Sequence, residues 1–251
     1  MNNLLRSEWI KLRTVPLHII LWCIAGGFVF VITVLVGVLT GSPRFFSAAD
    51  LANLVGGTSI VAGLLVSVVS ALAITSEFAH GTIRPTLAAT PDRTKVWGAK
   101  AILLLVTGVL IGVIVVWASY LVGMVILNMR DGDIGISGDD GSLAVLVGTP
   151  FLFGILAMFG YGLGLLLRNS PAAVSIAILW PLLIETVLGG VLSIAGVDDP
   201  VRYLPYQSAF ALAVAEPDDL VNGRVGGGLF FAVVVAVLVA VAVVINNRRD
   251  V

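Results

Sequence analysis

Charge is scarce in this sequence. Asp, Glu, Lys and Arg supply 12% of its 251 residues, about half the share of a soluble domain. A fully water-exposed surface cannot be built from so few charges, which argues against an ordinary soluble enzyme. Cysteine is nearly absent. Cys23 stands alone, so an internal disulfide and a multi-cysteine zinc site are both excluded. Histidine is limited to His18 and His80, and H-E-x-x-H does not occur. The G-x-x-x-x-G-K-[ST] phosphate loop is missing too: Gly98-Ala99-Lys100 lacks the preceding glycine loop and the following hydroxyl residue. The chain is therefore expected to bind no cofactor, metal or nucleotide itself, and no nucleic-acid partner is expected.

Apolar length is what the sequence has in excess. Hydrophobic residues make up 59% of it, and the mean hydropathy is +1.08. A hydrocarbon core of about 30 Å takes about 20 apolar residues as a helix. Six runs qualify: 17–39, 54–75, 100–127, 143–167, 172–194 and 228–245. They are long and do not alternate apolar with polar, as barrel strands would. The expected fold is an all-α polytopic membrane protein, a single transmembrane domain over 1–251. The first run begins too late and continues too long for a cleaved signal peptide, so it reads as a retained helix. Gly160, Gly162 and Gly164 suit close helix–helix packing. Trp22, Trp97, Trp117 and Trp180 read as packing or interface anchors.

The distribution of charge sets an orientation. Arg6, Lys11, Arg13, Arg84, Arg93, Lys95, Lys100, Arg168, Arg248 and Arg249 flank the runs on the side of the N-terminus. Arg44, Arg130, Arg202 and Arg224 fall on the other side. The positive-inside rule then places both termini in the cytoplasm. On the outside, 128–142 reads as an exposed loop rich in Asp and Gly. Tyr203 to Val214 reads as a short helix in the outer interface, with Tyr203 and Tyr206 at headgroup level. The N-terminal segment, Asn2 to Val15, is moderately amphipathic. Leu4, Leu5, Trp9, Leu12 and Val15 share a sector, Lys11 and its basic neighbours lie opposite or beside it, and Glu8 intrudes on the apolar side. An interfacial helix is expected there, broken by Pro16 before the first span.

The polar island between the second and third runs is heavily punctuated. Gly81 can stop the preceding helix, and Thr82 is a suitable cap for a short helix from Ile83 to about Ala89. Pro85 falls harmlessly in its first turn. Thr90 and Pro91 then read as cap and first residue of the next helix, with Asp92 in its first turn.

These residues resemble a known family. Glu77, Gly81-Thr82-Ile83, Leu87, Pro91, Arg93 and Lys100 look like the E…GT…L…P…R…GK pattern of ABC exporter permeases of the type-2 class. Glu8-Trp9-Ile10-Lys11-Leu12 resembles their N-terminal helix, and the resemblance extends over the chain. His80 and Pro85 fall where the family varies, and Leu87-Ala88 replaces a common leucine pair. The resemblance implies a permease subunit that pairs with a second permease, identical or not, in the cell membrane of a bacterium. It implies a separate ABC ATPase, carrying ATP and Mg, on the cytoplasmic face. Docking would use the short helix and its flanks, Glu77, Gly81, Thr82, Ile83, Arg84, Leu87, Pro91 and Arg93. Tyr203 to Val214 would supply a re-entrant helix before the last span.

Two other functions fit single features. Glu77 and His80, three residues apart, could serve an intramembrane hydrolase. Glu185, the carboxylate deep in the fifth run, could line or gate a pathway, could equally be a protonated or hydrogen-bonded residue near the outer end of its helix, or could serve as the proton site of a stand-alone transporter. Pro181 is expected to kink the helix beside it.

Overall fold

The computed structural model describes residues 2–89, 92–136, 138–216 and 223–248. Among them there is no strand. Helix α1 covers Asn2–Thr14. Val15 is extended, and Pro16 opens α2, Pro16–Leu39, at a position where its missing N–H is harmless. A 3₁₀ turn at Pro43–Phe45 leads to α3, Ala48–Ala79. Ser47 and Asp50 start α3 with a reciprocal capping box: each side chain accepts the other's backbone N–H, at 3.0 and 2.9 Å.

Gly81, at φ +67°, turns the chain out of α3 and into α4, Ile83–Ala89. Helix α5 then runs from Arg93 to Asn128. Its cap is Asp92, whose carboxylate accepts the Lys95 amide at 3.3 Å. This corrects the expectation of Asp92 inside the first turn; Thr90 and Pro91, the expected cap and first residue, lie outside the described residues. Thr82 also departs from expectation: its hydroxyl reaches back to the Glu77 carbonyl, at 3.5 Å.

Helix α6 spans Ser142–Leu167, and Arg168 ends it in a left-handed conformation. The fifth span is composite. Helix α7, Ser170–Leu179, passes through a π turn at Trp180–Ile184 into α8, Glu185–Ile194. Pro181, expected to kink the span, sits inside that wider turn, which absorbs its missing N–H. A 3₁₀ turn at Pro200–Tyr203, α9 at Pro205–Ala209 and a further 3₁₀ turn at Phe210–Ala213 make a re-entrant element. The last span is α10, Gly223–Arg248.

Six helical segments are long and apolar enough to cross a membrane. Burial separates centre from periphery. In the apolar 18-residue stretches of α3 and α6, 61% and 67% of residues are buried, against 17% in α2 and 22% each in α7–α8 and α10. The core therefore lies along α3 and α6. Their contact is close because Gly160 presses on the Ser67 carbonyl and Gly164 on Ile74 and Ala71. Gly162 instead faces Leu238 and Val239 of α10.

One end of the bundle gathers α1, α4, the α6–α7 turn and the end of α10; we refer to it as the charged end. At the opposite end the re-entrant element is packed inward. Leu204, Tyr206, Ala209, Leu212 and Ala213 are buried, and Tyr206 packs edge-on against Phe231. The expectation of an interfacial helix is thus corrected for Tyr206, a core residue, while Tyr203 is exposed. The apolar residues of this segment are taken up by α3, α6 and α10. The 128–142 loop is likewise less open than expected, since Ile134 is buried and its backbone pairs with the Asn128 side chain.

Candidate functional site

The charged end is built on a buried ion cluster. Glu8 and Lys11 lie one turn apart on α1. Glu77 stands in the last turn of α3, and Lys100 in the second turn of α5. Lys100 Nζ lies 2.6 Å from Glu77 Oε1 and also contacts Glu8 Oε2. Lys11 Nζ lies 2.8 Å from Glu8 Oε1 and 3.1 Å from Glu77 Oε1. Formal charges cancel. The side chains of Glu8 and Lys100 are each 5% exposed, and that of Lys11 is 40% exposed. Burial of isolated charges would be strongly unfavourable, so each member depends on the others. Burial draws the Lys11 ammonium down, but the Glu8 and Glu77 carboxylates outweigh that and hold it above the usual lysine value.

Glu8 is thus no intruder on an apolar face. It is the face of α1 turned toward the bundle, together with Leu12, while Trp9 and Val15 are exposed. The apolar sector read from the sequence is split, because α1 packs through an ion cluster as well as through leucine.

Helix α4 leaves this cluster directly. Ile83 is 2% exposed and packs with Leu12, Ile74 and Trp97; Leu87 packs against the same group. The outward surface of α4 is therefore Arg84, Pro85 and Ala88. Ile83 belongs to the platform beneath. Gly81 and Thr82 are exposed at the turn, Arg93 begins α5, and Pro91 lies outside the described residues.

The platform is tied on its other side as well. Phe78 stacks on Trp97 at 6.3 Å, and the Arg168 guanidinium sits 4.8 Å from the Phe78 ring centroid. Trp97 Nε1 donates to Asn247 at 3.1 Å, Arg168 Nε to Asn246 at 2.7 Å, and the Tyr161 hydroxyl to the Trp97 carbonyl at 2.9 Å. Ser170 and Thr75 hydroxyls meet at 2.8 Å. All six spans converge here, and displacing α4 must disturb a network that reaches α1, α3, α5 and α10.

A cavity of about 260 Å³ opens beside the cluster, lined by Glu8, Lys11, His18, Glu77, His80 and Lys100 among others. His80 Nδ1 is 2.8 Å from the Ser76 carbonyl, and the ring is exposed. Glu77 Oε1 is occupied by two ammonium groups, and Oε2 is buried without a hydrogen-bond partner. A carboxylate held this way is a structural ion. It is poorly placed to act as the mobile base a hydrolase would need.

Sequence reasoning found Glu77, Glu8 and Lys11 separately and missed their junction through Lys100. The available signal was weak: charges on otherwise apolar helix faces, with Glu8 and Lys11 in register. Glu185 lies at the opposite end, fully buried. It accepts from Trp180 Nε1 at 3.0 Å and from the amides of Tyr206 and Gln207 at 3.1 and 3.0 Å.

No curated protein matches the chain. A family profile described as "ABC-2 family transporter protein" matches residues 4–185, well over half of it. The matched region begins in α1, includes the whole ion cluster and α4, and ends at Glu185. Members of this family are permease subunits of ABC transporters, membrane components that work in the bilayer with an ABC ATPase. The chain, with its six apolar spans and its short helix on a charged platform, belongs to the ABC-2 transporter family.

Proposed function

We propose that this permease is the membrane half of an exporter, driven by a separate ATPase subunit that docks on α4. The observation that carries the reading is the division of α4 into two faces. Ile83 and Leu87 are packed into the platform, and Arg84, Pro85 and Ala88 are left open. A pushed helix transmits force only if its inner face is fixed, and here that face rests on Leu12, Ile74 and Trp97, beside the ion cluster. Closure of the ATPases around ATP and Mg²⁺ would press α4 toward Glu77. The pairs Glu77–Lys100 and Lys100–Glu8 would carry the displacement to α5 and α1.

The same-end grouping of α1, α4, the α6–α7 turn and the end of α10 supports a cytoplasmic position for both termini, in agreement with the basic residues there. Helix α1 would lie at the inner interface of a bacterial cell membrane, with the exposed Trp9 toward lipid. The peripheral spans α2, α7–α8 and α10 keep large apolar faces open, which supports contact with lipid and with a second permease subunit.

Co-purification tests the docking face. Arg84→Glu combined with Ala88→Glu is expected to abolish capture of the ATPase and leave membrane insertion and thermal stability unchanged, because both side chains point outward. Capture at the wild-type level would sink the docking assignment.

A further inference from the structure

The opposite end holds a carboxylate that this coupling scheme does not use. Glu185 is fully buried in a span of mean hydropathy 1.9, a setting in which ionisable residues are rare and functional. Three N–H groups converge on it. Oε1 accepts from Trp180 Nε1 and the Tyr206 amide, and Oε2 from the Gln207 amide. The two amides belong to the first turn of α9, whose N–H groups have no partner within the helix. A side chain of the fifth span therefore caps a helix on another element, and both of its oxygens are used.

That reach depends on the break in the span. Across the π turn the Glu185 amide bonds back five residues to the Trp180 carbonyl. This register brings Glu185 over Trp180, so that the indole can donate to the carboxylate.

The two elements joined by Glu185 are held very differently. The re-entrant element is locked. Gly56, Gly148 and Gly227 press on the carbonyls of Ala213, Leu212 and Ser208. Asn53 accepts the Ala215 amide at 2.7 Å, and Arg224 donates to the Val214 carbonyl at 2.8 Å. Within the chain, helix α8 makes its main contacts with the π turn and the Pro200–Tyr203 turn, and Val187, Leu188, Val191 and Ile194 face away from the bundle.

We propose that Glu185 is the positioning residue of an outer gate. Its carboxylate fastens α8, hinged at the Pro181 π turn, onto the fixed re-entrant element and holds this end closed in the absence of nucleotide. The gate rests on the transporter reading above; the fastening does not.

Thiol labelling tests it, with the full chain carrying Cys23→Ser in nanodiscs, alone or with the co-purified ATPase. The probe is Leu204→Cys: Leu204 is buried, and its side chain lies against Gly189 of α8. Without nucleotide, a polar maleimide is expected to label this thiol slowly when Glu185 is present. Labelling is expected to be roughly tenfold or more faster with Glu185→Ala, which strands two amides. Glu185→Gln keeps the volume and one acceptor oxygen, so it is expected to fall between. A control thiol at the charged end, Ala99→Cys, is expected to stay slow throughout. ATP is expected to speed Leu204→Cys labelling with Glu185 intact and to add nothing in Glu185→Ala.

Equal rates for the three residues at position 185 would overturn the proposal. So would a parallel rise at Ala99→Cys, which marks general loosening of the fold. If the intact complex hydrolyses no ATP, the transporter reading fails, and the nucleotide-free order still decides the fastening.

Discussion

Lys100 sits between two carboxylates, and its removal would leave Glu8 and Glu77 sharing the half-exposed Lys11. Breaking a buried ion pair from one side costs about 3–5 kcal/mol, whereas replacing both partners by apolar groups is often close to neutral. Lys100→Ala is therefore expected to lower unfolding stability in detergent by about 3–5 kcal/mol. The double variant Lys100→Met with Glu8→Met, which keeps the neutral Lys11–Glu77 pair, is expected to recover most of that loss. Additive losses in the double variant would show that the four charges do not act as a network. The exposed Arg44–Asp131 pair, at 3.1 Å, has no comparable role, since surface pairs contribute about 0–1 kcal/mol. Burial thus separates the ion cluster from this surface pair.

Element by element, the glycines decide how closely helices approach. A methyl group at Gly160 would overlap the Ser67 carbonyl, while one at Gly98 meets no atom within 4 Å. Gly160→Ala is expected to destabilise by about 1–3 kcal/mol through overpacking of α6 on α3. Gly98→Ala is expected to stabilise α5 by up to about 1 kcal/mol through helix propensity. Thermal unfolding of the two variants side by side checks the contrast. Much at this scale was legible. Six apolar runs became six spans, and the start of α4 follows from Gly81. The Ser47–Asp50 capping box, which sequence reasoning missed, lengthens α3 beyond the apolar window that hydropathy alone marks. Other features were not legible for physical reasons. A proline in a span signals lost hydrogen bonding but not whether a kink or a π turn absorbs it. The run from Tyr203 to Val214 shows that a segment is apolar, not that three glycine-bearing helices close over it. Glu8 and Lys100 are 92 positions apart, and only packing reveals such a pair.

For the molecule as a whole, span length and charge act together. At about 1.5 Å per residue, the 32 residues of α3 and 36 of α5 extend roughly 48 and 54 Å, against a hydrocarbon core of about 30 Å. The ion cluster lies near their ends at α4, so the excess length carries it out of the apolar layer, where charge is tolerated. Orientation is open to a direct check. With Cys23→Ser, an impermeant thiol reagent applied to intact cells is expected to label Asp133→Cys and to reach Arg84→Cys only after the membrane is opened. The reverse pattern would invert the topology. Sequence distance within the cluster also sets an order of events during synthesis. Glu8 and Lys11 leave the ribosome first, and Glu77 follows 66 positions after Lys11. Lys100 comes 92 positions after Glu8, a delay of about 5–18 s at typical elongation rates. Through that interval α1 has no bundle to join, and the membrane surface must shelter it. Helix α1 is thus made before α3 and α5, and its ion contacts are completed only once α5 has followed.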